Sequence, residues 1–259
     1  GAPSSCPATY DGYVEHITST ANQRIKAIRK LHSARGRKET GTTICEGPHL
    51  LEALTESDTV PLVVLAVEGA RPAIRYAEDH DAPCFIVTDE VLAAASDAVT
   101  PQSPIVMIEI PRRSAMRSMN TVVLDGLADP GNVGTIIRTA TALGWDIAMT
   151  RHTADPWAPK ALRSSAGTTI RSHIATIDHP VEEARRNGLS CVGTVVESGT
   201  PLEIHRSPVA LFVGSESHGL SRDRVEAMDE LVTIPMVGGT ESLNAASAAA
   251  IAMYVIGLP

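Results

Sequence analysis

Phenylalanine, tyrosine and tryptophan together make up only 3% of the 259 residues, which excludes a protein that grips nucleobases mainly by aromatic stacking. Shape and backbone contacts would have to carry any nucleic-acid recognition. The four cysteines, Cys6, Cys45, Cys84 and Cys191, lie far apart, without the paired spacing of zinc or redox motifs. They read as reduced core thiols in a cytoplasmic protein. No Gly-x-Gly-x-x-Gly follows a strand, and there is no Walker lysine loop, no Gly-x-Ser-x-Gly elbow and no His/Cys/carboxylate cluster for a metal. Dinucleotide oxidoreductases, P-loop kinases and α/β-hydrolases thereby lose their main support. No basic-then-apolar leader opens the sequence, and the uncharged tail, residues 243–259, falls short of the roughly 20 residues a bilayer span needs. A buried helix is expected there, with no membrane and no metal among the partners.

Acids are missing from one place in particular. The chain carries a net charge of −8, yet residues 24–38 hold Arg24, Lys26, Arg29, Lys30, Arg35, Arg37 and Lys38 and no acid. Positive charge focused at one end of an acidic molecule is the footprint of a phosphate-binding surface; a solvated helix face is the plain alternative. Ile25, Ile28 and Leu31 fall at helical spacing, so one helix is expected from Asn22 to about Ala34, with the basic residues around it.

The remainder alternates strand-like and helix-like segments, which means layered α/β architecture. A lead-in rich in Pro, Ser and Gly, residues 1–14, is expected to be disordered. A first small α/β domain is expected over 15–111, a polar, basic linker over 112–120, and a second α/β domain with a parallel sheet over 121–259. In the second domain three apolar runs each empty into a Gly/Ser-rich loop: 124–144, with a buried-looking cation in Arg138, then 214–221 and 234–250. Glycine lets a backbone approach a ligand closely, and open α/β sheets bind small molecules beyond the carboxyl ends of their strands. The three loops are read as one site.

The residues in these loops form an ordered set. Asn132, Gly134 and Arg138 come first; Gly214, Glu216, Gly219, Leu220 and Ser221 follow an apolar strand; Ile234, Pro235, Met236, Ser242, Leu243 and Asn244 close the chain. Each motif alone is weak, but the triple in this order resembles the SpoU/TrmH branch of the SPOUT superfamily, RNA ribose 2′-O-methyltransferases with a knotted carboxyl-terminal half. Ser217 stands where that family often has glycine. The basic helix followed by the segment around Cys45 and Glu46 resembles the ribosomal-protein-like substrate domain of rRNA-directed members, so the likeness covers nearly everything after about residue 17.

The resemblance implies a homodimer through the knotted domain and a bound S-adenosylmethionine held largely by backbone groups near Thr194, Gly214, Ile234, Met236 and Leu243. It also implies a polar catalytic set of Asn132, Arg138, Glu216, Ser242 and Asn244. Family proposals make the arginine a general base. A guanidinium with a pKa above about 12 keeps its proton, so Arg138 is read instead as holding the neighbouring phosphate and the developing alkoxide, with Asn132 and Glu216 fixing its fork. Plainer roles stand beside these: Arg138 as an ion-paired surface residue, Glu216 as a loop anchor, Ser242 as the cap of a helix beginning near Leu243, Asn244 as a partner for buried backbone. Lys160 and Arg163 are candidates for phosphate contact or for an ordinary exposed helix face. His218 is a candidate for substrate contact or, more simply, an exposed loop residue; Trp145 and Trp157 are read as packing. The reaction implied is methyl transfer to a ribose 2′-hydroxyl of structured RNA, rRNA rather than tRNA, with an antibiotic-resistance role left open. A tRNA-directed enzyme, a base-nitrogen methyltransferase, which the Asn132/Arg138 pair disfavours, and a non-catalytic knotted assembly factor are the rivals.

Overall fold

A computed structural model describes residues 15–236 and 242–258. The lead-in expected over 1–14 and the centre of the third loop lie outside these residues. The chain divides after Ile110 into two compact units.

The first unit runs β1 (Glu15–Ile17), α1 (Gln23–Lys30), α2 (Ala34–Thr40), β2 (Thr42–Glu46), α3 (Pro48–Glu56), β3 (Pro61–Ala66), α4 (Arg71–Asp79), β4 (Cys84–Val87), α5 (Asp89–Ala95) and β5 (Ile105–Glu109). The mixed sheet has the order β1-β4-β3-β5-β2. Ile25, Ile28 and Leu31 bury the inner stripe of α1 against Ile44, Leu65 and Phe85 of that sheet.

The single helix expected from Asn22 to Ala34 is in fact two. The Ser33 side chain accepts from the amide of Gly36 and caps α2, and Gly41, at φ 69°, ends it. The new start turns Arg37 inward. It is 3% exposed, and its Nη1 donates to the carbonyls of Leu31 (2.7 Å) and His32 (3.0 Å), tying the two helices together. The expectation that Arg37 binds RNA is therefore corrected: it is a buried strut. Two more of the seven cations have acidic neighbours from just outside the stretch. Arg35 pairs with Glu39 (2.6 Å), and Arg24 pairs with Glu15 (3.5 Å) while lying 4.5 Å from the centre of the Phe85 ring. Lys26, Arg29, Lys30 and Lys38 are exposed.

The second unit runs β6 (Thr121–Asp125), α6 (Pro130–Ala142), β7 (Asp146–Met149), α7 (Pro159–Ser164), α8 (Thr168–Arg171), β8 (Ile174–Thr176), α9 (Pro180–Arg186), β9 (Ser190–Thr194), β10 (Thr200–Pro201), β11 (Val209–Gly214), α10 (Arg222–Glu226), β12 (Glu230–Thr233) and α11 (Ala245–Ile256). Its sheet is parallel in every pairing, in the order β10-β12-β9-β11-β6-β7-β8. Both faces are covered, as a parallel sheet requires. Val122 and Leu124 pack with α6 and α11 on one side, and Val123 packs with Phe212 and residues of α9 on the other. The stretch expected as a linker over 112–120 packs on this unit: Met116 is buried, Arg113 accepts from the amide of Thr176, and Arg117 pairs with Asp146.

Strand β11 inserts between β6 and β9, both earlier in the chain, with Gly214 beside Asp125. The carboxyl ends of β6 and β11 therefore lie side by side. Helices α6 and α11 run parallel over them: their starts meet where Asn132 touches Asn244, and their ends meet where Gly257 abuts Trp145. No described helix is long and apolar enough to cross a membrane.

Candidate active site

Strand β11 ends in a close turn. A Cβ on Gly214 would come within 2.1 Å of the Gly219 carbonyl carbon, so only glycine lets the chain fold back here. Ser215 and Gly219 exchange backbone hydrogen bonds of 3.0 and 2.9 Å, and Gly219 sits at φ 66°. Glu216, at the crown of this loop, reaches the β6–α6 connection. Its Oε2 accepts from the Ala128 amide (3.1 Å), and its Oε1 accepts from Asn132 Nδ2 (2.9 Å) and more weakly from the Asp129 amide (3.4 Å). Partial burial pushes the carboxyl up, but donation from Asn132, its own amide and the amides of Ala128 and Asp129 outweighs this and holds it below the usual carboxylate value.

Asn132 passes the connection on. Its Oδ1 accepts from Asn244 Nδ2 (3.0 Å), and Asn244 Oδ1 accepts from the amides of Ala246 (2.9 Å) and Ser247 (3.4 Å). Asn244 is thus the N-cap of α11, which corrects the expectation that Ser242 caps a helix starting near Leu243. The chain Glu216–Asn132–Asn244 binds three sequence-distant loops into one structure.

Beside it lies a cavity of about 690 Å³, inside the range of about 300–1,000 Å³ that small-molecule sites occupy. Thr194, Gly214, Ile234, Met236 and Leu243 all line it, as do Glu216, Ser242 and Asn244. Val213, Leu220, Ala248 and Ala252 give it apolar walls. Among the described residues its charged lining consists of Glu197 and Glu216, with no lysine or arginine, so it favours a flat apolar ligand carrying positive charge. The Thr194 hydroxyl is engaged by the Phe212 carbonyl at 3.0 Å, which leaves backbone to meet a ligand there.

Residues 119–254 match the SpoU rRNA methylase family. The chain belongs to that family. Residues 22–105 of this SpoU methylase match an MRM3-like substrate binding domain. The chain is 32% identical to a 23S rRNA (guanosine(2553)-2′-O)-methyltransferase of Bacillus subtilis, over 93% of this chain and 98% of the relative. Among solved structures, an AdoMet-bound rRNA methyltransferase from Sinorhizobium meliloti superposes with a TM-score of 0.84 at 25% identity, covering 93% of this chain and 96% of that one. The SpoU methyltransferase AviRb from Streptomyces viridochromogenes, in complex with the cofactor AdoMet, superposes at 0.80 with 27% identity, covering 90% and 96%.

Other expected site residues of this SpoU methylase lie elsewhere. Arg138 is exposed on α6, about 9 Å along the helix from Asn132 at 1.5 Å per residue, and is not among the cavity's lining residues. The expectations that it is buried and that Asn132 and Glu216 hold its fork are corrected, because those two side chains engage each other and Asn244 instead. Lys160 pairs with Asp129 at 2.5 Å, and chiefly this contact holds the Asp129 carboxyl low. Arg163 is exposed on α7. Gly134 faces away from the cavity: a Cβ there would meet the Ala161 carbonyl oxygen at 2.4 Å, so this motif glycine seats α6 on α7.

Sequence reasoning missed Glu197 as a lining residue, since no motif holds it; His218, weighed as a substrate contact or an exposed loop residue, is exposed and lines the cavity. The buried thiols are poor nucleophiles: desolvation pushes Cys45 up to about 12 and Cys191 to about 11. No group of His, Cys, Asp and Glu able to hold a metal occurs among the described residues.

Proposed function

We propose that this chain transfers a methyl group from S-adenosylmethionine to a ribose 2′-hydroxyl of structured RNA, and that the RNA is rRNA. The observation that carries this reading is the Glu216–Asn132–Asn244 chain beside a cavity whose described lining holds two carboxylates and no lysine or arginine. S-adenosylmethionine, when bound, supplies an electrophilic methyl carbon on a cationic sulfur. The cavity fits it in size and in sign of charge. Ile234, Met236, Leu243 and the backbone at Thr194 and Gly214 would hold its adenosine.

Glu216 anchors the two loops, Asn132 connects them to α11, and Ser242 and Asn244 flank the reacting region. Arg138 is assigned the phosphate beside the target sugar and the charge that develops on its oxygen. Lys26, Arg29, Lys30 and Lys38 are assigned the RNA backbone, with Arg24 and Arg35 contributing where their ion pairs open. Lys160 and Arg163 are assigned phosphates at the surface of the second unit. The Bacillus subtilis and Sinorhizobium meliloti proteins named above are described as rRNA methyltransferases, which supports rRNA over tRNA and a cytoplasmic place of work.

Homodimerisation and a trefoil knot belong to the same reading. Insertion of β11 between two earlier strands supports the knot. Leu143 at the end of α6 and Ile251 and Tyr254 on α11 are exposed apolar residues on the two paired helices and are assigned, with Arg138, to the interface between two copies. Domain limits near 15–111 and 121–259 are proposed from the division after Ile110 and the two family matches.

Titration calorimetry with S-adenosylmethionine, followed by transfer of its labelled methyl to unmodified 23S rRNA and mapping of the 2′-O-methyl group by primer extension, tests the proposal. Micromolar binding and label on a ribose are expected. Absence of binding would favour a non-catalytic RNA-binding factor. Arg138→Lys should lose most of the turnover and keep cofactor affinity; near-normal turnover would remove Arg138 from the mechanism.

A further inference from the structure

The loop closed by Ser215 and Gly219 holds an imidazole in a fixed place. The His218 amide donates to Ser215 Oγ at 3.3 Å, and His218 Nδ1 lies 2.7 Å from Ser217 Oγ. Among the described residues no hydrogen bond engages Nε2, and His218 lines the cavity two residues from Glu216. With the Nδ1 proton given to Ser217 Oγ, Nε2 presents its lone pair.

Methylation of a hydroxyl needs somewhere for its proton to go, and the other described groups around the cavity serve this poorly. Both Glu216 oxygens accept hydrogen bonds already, and those donations hold its carboxyl low, which makes it a weak base. Serine, threonine and asparagine side chains are not bases at neutral pH, and a guanidinium keeps its proton. Glu197 stands beyond the end of β9 and is not joined to the Glu216–Asn132–Asn244 chain. Imidazole is the side chain whose ordinary titration lies near neutrality, where proton transfer in catalysis is most efficient.

We propose that His218 Nε2 accepts the 2′-hydroxyl proton and that Ser217 is the positioning residue that fixes its ring. This rests on the methyl-transfer reading. As the ribose oxygen forms its bond to the methyl carbon, the carbon–sulfur bond breaks and its electron pair stays on sulfur, giving neutral S-adenosylhomocysteine. The hydroxyl proton passes to Nε2, leaving an imidazolium that returns the proton to solvent.

The test uses the full chain, tritiated S-adenosylmethionine and unmodified 23S rRNA, with single-turnover rates at saturating RNA and cofactor affinity by calorimetry. His218→Gln should turn over about 100-fold more slowly, within the range for loss of a general base, and bind cofactor within about twofold of the unsubstituted protein. His218→Ala should recover turnover on addition of free imidazole, a response no structural role gives. Ser217→Ala should lose about tenfold in rate at unchanged RNA KM, and Ser217→Thr, which keeps the hydroxyl, should restore it.

Turnover of His218→Gln within about threefold of the unsubstituted protein would overturn the assignment, as would a deficit that vanishes at saturating RNA or one that follows lost cofactor binding. An unsubstituted protein that moves no label removes the methyl-transfer reading and this proposal with it. An active one whose His218→Gln variant is equally active removes only the role of His218.

Discussion

Asn132 and Asn244 stand 112 positions apart in the chain and share a hydrogen bond of 3.0 Å. The bond uses Asn244 Nδ2, while Asn244 Oδ1 caps α11, so one side chain performs two separable tasks. Asn244→Ala should destabilise the protein by about 1 kcal/mol through the lost cap and also weaken cofactor binding. Asn244→Ser keeps a capping oxygen and lacks the Nδ2 donor, so it should hold stability and still bind cofactor less well. Denaturant unfolding alongside calorimetry separates the two; equal cofactor affinity in Asn244→Ser and the unsubstituted chain would show that the bridge does not shape the site.

Gly214→Ala and Gly134→Ala test two glycines of the family motifs for different functions. At Gly214 the added methyl meets the backbone of Gly219 and Leu220 at the cavity wall; at Gly134 it meets α7, away from the cavity. Each should cost about 1–3 kcal/mol as overpacking. Only Gly214→Ala should abolish cofactor binding in protein that remains folded. Binding retained there would mean the loop tolerates opening.

Acid should act on the site through Glu216. Its folded pKa is depressed, so its contribution to stability is complete above the ordinary glutamate value of about 4.3 and disappears as pH falls through the lower folded value. The Tm difference between the unsubstituted chain and Glu216→Gln should stay constant at neutral and mildly acidic pH and shrink below about pH 4.3. A gap that persists unchanged to lower pH would mean that the hydrogen bonds of Glu216 contribute nothing net.

The cations of the first unit should fall into two classes. Lys26→Ala and Lys30→Ala should leave stability within about 0.5 kcal/mol, weaken RNA binding and reduce the slope of log affinity against log salt by up to about one each. Arg37→Ala should lower the thermal midpoint, because it removes the donor to the buried Leu31 carbonyl and the partly buried His32 carbonyl. Filter binding over a salt series, read with thermal melts, decides between them. An Arg37 variant that melts normally and binds RNA weakly would return that residue to the binding surface.

Much of the second unit was legible because parallel strands buried on both faces read as apolar runs, and because Gly214 sits where the backbone closes on itself. The gaps have local causes. Strands β1 and β10 and helix α8 span three, two and four residues, too few to show a period. The break between α1 and α2 hid behind Leu31, which continues the apolar spacing of α1 while Ser33 starts a new helix. Arg138 looked buried after Ile136 and Ile137, but a position directly following two buried ones on a helix can face outward, and this one does. The cap of α11 was placed at Ser242, two residues early, because serine and asparagine are equally good caps and sequence alone did not rank them. His218 has no motif; only its contact with Ser217 sets it apart.

The bond between Asn132 and Asn244 also orders events in time. The Glu216–Asn132–Asn244 chain is incomplete until α11 has folded against α6. Pairing across so long a stretch of chain is slow to close. The site therefore comes together in a non-local step of folding, once the β6–α6 connection, the loop after β11 and the start of α11 are all in place.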